Sequence, residues 1–146
     1  MIDFENPDSA AIKALLEHIE VIAVIGASPN PARPSHRVAA ALQAWGYRII
    51  PVRPGVERVL GERAYPDLAQ VPGNIDLVDV FRAPDQVDPI VDVCIARGVP
   101  ALWLQDGVIN TAAACRARDA GILVVMNRCI YRDYRAFFGD RLRATR

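Results

Sequence analysis

Five short apolar runs alternating with segments of helical period predict an α/β protein: a Rossmann-like, doubly wound parallel sheet of about five strands. Three observations carry this. The runs at 21–26, 48–52, 75–81, 99–105 and 122–127 have strand length and are bounded by glycine, proline or polar residues. The first, Val21-Ile22-Ala23-Val24-Ile25, has no polar residue on either face, as a parallel strand covered by helices on both sides requires. Strand and helix then alternate from Val21 to Asn127, and right-handed crossovers wind such a chain into a parallel sheet. The expected strand order is 3-2-1-4-5. At 146 residues, 52% of them hydrophobic, the chain matches a single packed core, and residues 1–146 are read as one domain.

The elements follow in order. An amphipathic helix over about 9–19 precedes the first strand. In 35–45, Val38, Ala41, Leu42 and Trp45 fall at i, i+3, i+4 and i+7, and Gly46 closes the helix. The interval 55–73 holds Pro66 and Pro72 and no helical stripe, so it reads as a loop with a short helix near 66–69. Asp85, after Pro84, is the expected N-cap of a helix over 85–97, which turns Val87, Ile90, Val91, Cys94 and Ile95 inward and ends at Gly98. A third crossover helix spans 111–120 and stops at Gly121. Trp45 and Trp103 are expected in the core, His18 and His36 at the surface, and Asp79 as a brace for neighbouring loops.

Composition narrows the function. Seventeen basic side chains balance 17 acidic ones, which argues against binding nucleic acid by neutralising many phosphates. No apolar run approaches the roughly 20 residues that cross a bilayer, and residues 1–7 lack a basic segment leading into an apolar one, so a soluble, cytoplasmic protein is expected. Cys94, Cys115 and Cys129 fit neither a disulfide framework nor a zinc site, and no metal is expected. Residues 1–20 hold five acids and one lysine, while 116–146 hold eight arginines and three aspartates. Such ends form two solvated faces, or pair within the fold or across a homodimer.

In open parallel sheets ligands bind beyond the carboxyl ends of the strands, where strand order reverses. For the expected order that crevice lies between the first and fourth strands. Its first loop begins Gly26-Ala27-Ser28-Pro29 and runs through Arg33-Pro34-Ser35 into a helix whose free N–H groups favour an anion. The glycine fingerprint of dinucleotide enzymes is absent, since Ser28 and Pro31 occupy its second and third glycine positions. The loop reads equally as a phosphate cradle or as a proline-stiffened connection. Ser28 lacks the surroundings of a hydrolase nucleophile. After the second strand Val52-Arg53-Pro54 places a guanidinium where an NAD enzyme usually has an acid, which suits a phosphorylated ribose. Phe81-Arg82-Ala83 and Gln105-Asp106-Gly107 end the third and fourth strands at the same crevice.

These segments, with Gly46-Tyr47-Arg48-Ile49-Ile50-Pro51-Val52, Val78-Asp79-Val80-Phe81-Arg82, Trp103-Leu104-Gln105-Asp106-Gly107 and Asn127-Arg128-Cys129, resemble the single-domain CoA-binding proteins, similar in fold to the N-terminal domain of the succinyl-CoA synthetase alpha subunit. The resemblance covers about 20–134. It implies coenzyme A or an acyl-CoA as ligand. Gly26, Ala27, Ser28, Pro29 and Arg33 would cradle phosphate, and Val52, Arg53 and Pro54 would line the adenosine side. Phe81, Arg82 and Ala83 would border adenine and ribose, and Gln105, Asp106 and Gly107 would close the cleft where pantetheine emerges. Arg53 departs from the family's usual asparagine. The synthetase's phosphorylated histidine lies in a second domain, so the resemblance implies binding without the ligase reaction and no catalytic residue. Two alternatives stay open: a small NAD(P)-dependent or acyl-transfer enzyme, and a redox-regulated CoA-linked protein acting through Cys129.

Overall fold

The computed structural model describes residues 3–143. Helix α1 (Ser9–His18) starts where the Asp8 carboxylate accepts the Ala11 N–H at 2.9 Å, and it buries Ile12 and Leu16. Strand β1 (Val21–Ile25) leads into α2 (Pro34–Ala44), whose first turn tolerates Pro34 because no intrahelical N–H is needed there. Strand β2 (Arg48–Val52) is followed by a hairpin of β3 (Arg58–Val59) and β4 (Glu62–Arg63). Then come β5 (Leu77–Val80), α3 (Val87–Arg97), β6 (Ala101–Leu104), α4 (Thr111–Asp119), β7 (Leu123–Met126) and α5 (Ile130–Phe138). Among the described residues no helix is long and apolar enough to cross a membrane, and no cluster of side chains could hold a metal ion.

The main sheet is fully parallel, as expected, but its order is β2-β1-β5-β6-β7, which is 2-1-3-4-5 counted over its five strands, and not 3-2-1-4-5. The outer edge of β2 explains the difference. Tyr65 bridges to Val52 there, donating its N–H to the Pro51 carbonyl at 3.0 Å and accepting the Arg53 N–H at 2.8 Å. Pro51 turns its missing donor to that same edge, where a proline is tolerated and a full strand partner is not. The third strand therefore crosses to the far side of β1, and the reversal of strand order falls between β1 and β5, not between the first and fourth strands.

Alternation along each strand feeds two apolar layers. One face packs Val78, Val80, Leu102 and Leu104 against Val87, Val91 and Cys94 of α3 and Ala113 and Ala117 of α4. Burial there pushes the Cys94 thiol up to about 12. The other face packs Ile22, Val24, Leu77 and Trp103 beneath α1, α2 and α5. Asp79 shares this second face and is fully buried, yet among the described residues neither carboxylate oxygen has a hydrogen-bond partner, so it braces no loop.

Other local expectations change. Asp85 lies in a 3₁₀ turn (Pro84–Gln86) and caps nothing; the turn is closed by the Gln86 N–H donating to Ala83 O, and α3 begins two residues later. Ile95 is 39% exposed, not inward. In 55–73 the short helix is a 3₁₀ turn at Leu68–Gln70, held by the Asp67 carboxylate, and the β3–β4 hairpin was not expected. Nor was α5. Its Tyr134 is buried and stacks on Trp45 at 4.1 Å, and Tyr131 stacks on Trp45 at 5.4 Å. Most arginines of the basic C-terminal stretch find acids outside the first 20 residues, such as Arg116 with Asp88 and Asp92, while Arg143 reaches back to Glu20 at 3.7 Å.

The exposed edge of β7 is closed by the N-terminal segment. Asn6 Oδ1 accepts the Met126 N–H at 2.7 Å and its Nδ2 donates to Met126 O at 2.9 Å, which mimics a strand partner. Asn6→Ala is expected to cost about 1–2 kcal/mol by urea denaturation, the loss of two hydrogen bonds at a half-buried site.

Candidate functional site

Continuing each strand by two residues on the face of Val24, Pro51, Asp79 and Trp103 gives Gly26, Arg53, Phe81 and Gln105, one row at the carboxyl end of the sheet. All four line one cavity of about 1120 Å³. Gly26 makes the row possible. Its φ is +86°, its N–H donates to Val52 O at 2.8 Å, and a Cβ there would lie 2.3 Å from the Phe81 carbonyl oxygen.

The loop that follows is wound around Ser28. The buried Ser28 donates its N–H to Ser35 Oγ at 3.1 Å, and its own Oγ accepts the Asn30 N–H at 3.1 Å. His36 Nδ1 donates to Ser28 O at 2.8 Å, which places this half-buried histidine inside the loop and not at the surface. No side chain caps the start of α2; Pro34 carries no N–H and the His36 and Arg37 N–H groups both donate to Arg33 O at 3.1 Å, so of the first turn only the Ser35 N–H is left for an anion among the described residues.

Charge in the cavity wall is one-sided. Arg33, Arg37, Arg53 and Arg82 line it, and none of them pairs with a carboxylate among the described residues. Arg53 Nη1 donates to Gly26 O at 3.3 Å and Arg37 Nη1 to Ala32 O at 2.7 Å, so backbone carbonyls hold two of the four. The one carboxylate in the wall, Asp106, is taken by a fifth arginine. Arg132 grips it with two bonds of 2.6 and 2.8 Å, and these hold the Asp106 carboxyl below its usual range. Three further contacts fasten the loop after β6 to the segment before and within α5. Gly107 N–H donates to Asn127 Oδ1 at 2.8 Å, Ile130 N–H to Gln105 Oε1 at 3.2 Å, and Trp103 Nε1 to Arg128 O at 2.8 Å.

Of the residues singled out from sequence, Gly26, Ser28, Arg33, Arg53, Phe81, Arg82, Ala83, Gln105 and Asp106 meet in this wall. Ala27 is buried behind it, while Pro29, Pro54 and Gly107 are exposed beside it. Val52 lines a neighbouring cavity of about 410 Å³ with Leu68 and Ile90, and Arg82 stands in both. Sequence reasoning missed Arg37, Val38 and Ala41 along α2, and Tyr131 and Arg132 on α5. The first three repeat at helical spacing behind Arg33 and were readable; the α5 pair depended on a helix that was not expected.

A family model described as "CoA binding domain" matches residues 20–135. The chain is 38% identical over 126 residues, 86% of its length, to an uncharacterized protein of Bacillus subtilis, YneT, of which it covers 93%. It is similar, with a TM-score of 0.88 and 32% identity, to the structure of a hypothetical protein from Pyrococcus horikoshii, covering 95% of this chain and all of that one. An ADP-forming acetate–CoA ligase of Archaeoglobus fulgidus is 29% identical over 80 residues, 55% of this chain but 12% of the ligase.

Proposed function

Because the chain belongs to the CoA-binding domain family, we propose that its cavity binds coenzyme A or an acyl-CoA and carries out no chemistry on it. The observation that carries this reading is the set of four carboxylate-free arginines around one cavity at the switch point of a parallel sheet. A ligand with a pyrophosphate and a further ribose phosphate supplies the negative charge that such a wall lacks. The loop from Gly26 to Arg33 and the first turn of α2 receive the pyrophosphate. Arg53 and Arg82 meet the ribose phosphate, the smaller cavity between Val52 and Ile90 takes adenine, and pantetheine leaves past Gln105 and Asp106. Absence of turnover is supported by two groups suited to moving a proton: Asp106 is locked by Arg132, and His36 is committed to Ser28 O.

Mass spectrometry of the natively purified protein should find bound CoA or acyl-CoA. Calorimetry should find CoA bound about 100-fold more tightly than dephospho-CoA, the effect of two charge-assisted phosphate contacts. Equal affinities would remove Arg53 and Arg82 from their assigned role.

A second reading is favoured by Cys129, which stands in the wall of the same cavity. Its thiolate would attack oxidised CoA, forming a protein–CoA disulfide and releasing one CoA thiol. Treatment with oxidised CoA should then add one CoA mass to the native protein and none to Cys129→Ser. An unmodified wild-type protein ends this reading.

A further inference from the structure

Asp79 is the one buried acid whose carboxylate has no partner among the described residues. It lies in the middle of the sheet, in register with Val24 of β1 and Trp103 of β6. The row above it is the cavity floor, Gly26, Phe81 and Gln105, two residues or about 7 Å along the strands. Gly26 contributes no side chain to that floor.

The surroundings offer Asp79 no compensating charge. The buried residues of α1 are Ile12 and Leu16, and those of α2 are Ser35, Val38, Ala39 and Leu42, none of which titrates near neutrality. From α5 come Asp133, gripped by Arg128 at 2.7 Å, and Tyr134, with Cys129 just ahead of the helix. Tyr47 enters from the start of β2, bonded to Leu16 O, and His36 is bonded to Ser28 O. A carboxylate without hydrogen bonds in such a layer is far costlier than the neutral acid. Burial accordingly drives the Asp79 carboxyl well above its ordinary value.

We infer that Asp79 is a proton-holding residue that makes anion binding in the cavity pH-dependent. Protonated, it leaves the field of the four arginines intact. Ionised, it sets a negative charge beneath the phosphates, and by linkage a bound polyanion holds the proton on Asp79 more firmly. This inference rests on the proposed reading of the cavity as a polyanion site. At the distances involved, one added charge weakens a phosphate ligand by about tenfold.

The test compares wild type with Asp79→Asn in two measurements across a pH series. In unliganded protein, wild-type stability is present in full below the unfolded-state value of about 3.9 and falls as pH rises through the native value, whereas Asp79→Asn lacks this limb. Infrared difference spectra should show the carbonyl stretch of a protonated carboxyl above the pH at which ordinary carboxyls ionise in wild type alone. The Kd for CoA should rise with pH in wild type from the point where the fall in stability levels off, by about tenfold beyond the change seen in Asp79→Asn. The variant then follows only the ligand's own titration. If Asp79→Asn does not fold, Asp79→Ser takes its place. Identical pH profiles of stability in wild type and variant overturn the inference. So does a difference in stability with no difference in the CoA profile. Failure of wild type to bind CoA at any pH overturns the proposed function, and with it the coupling to the cavity, while the infrared band still reports the proton on Asp79.

Discussion

Gly26→Val is expected to lower stability by about 3–5 kcal/mol, enough to unfold much of the protein if its total lies near the lower end of the usual range. Two costs combine at this position. A φ of +86° is strained for any residue with a Cβ, and the added carbon would sit 2.3 Å from Phe81 O, a main-chain atom fixed by the Phe81 N–H bond to Ile25 O. Neither strand can retreat, because β1 lies between β2 and β5 in the sheet. Gly107→Ala separates the two costs. Its φ is +78° but nothing lies within 4 Å of the added carbon, so only the conformational cost, about 1–2 kcal/mol, applies. Urea denaturation of both variants checks the ordering, and comparable losses at the two positions would show that the Gly26 contact is soft.

The contrast between those glycines also marks how far the sequence could be read. Gly26 is identifiable as a turn residue because it follows an apolar strand, but its closeness to Phe81 depends on β5 lying beside β1, and no local pattern states which strands are neighbours. Pro51 did carry that information. A proline inside a strand belongs at an edge, which disagrees with an order that puts the second strand in the interior. The strands, the three crossover helices and most of the cavity wall follow from period and punctuation alone, since ligand sites of this architecture sit on the loops after the strands. Helix α5 was harder, because Arg132 and Arg135 place it within an arginine-rich stretch, so Ile130, Tyr134 and Phe138 at i, i+4 and i+8 are easily read as a basic tail. With α5 missed, the Arg132–Asp106 clamp was invisible and Asp106 appeared available. Asp79 was misread for a different reason: an acid next to a strand end ordinarily finds a backbone donor, and only the three-dimensional packing shows that this one does not.

Replacing Arg53 and Arg82 together with glutamine should weaken CoA binding by about 100-fold while changing stability by less than about 1 kcal/mol. The size follows from two charge-assisted contacts to phosphate, each contributing at least tenfold, and neither arginine has a carboxylate partner among the described residues whose charge would be left uncompensated by the change. The small effect on folding follows from geometry. Among the described residues Arg82 makes no hydrogen bond, and Arg53 makes a single long one, 3.3 Å, to Gly26 O. Glutamine retains much of the apolar stem but loses the cation. Calorimetric titrations at several salt concentrations separate this from a general loosening of the site. Removal of two cations should flatten the dependence of log Kd on ionic strength as well as raise Kd, because screened charge–charge attraction is the part of the affinity that salt reports. A weakened Kd with an unchanged salt dependence would mean that the two side chains shape the cavity without meeting the phosphates, and the anion would then have to be held by Arg33, Arg37 and the first turn of α2 alone.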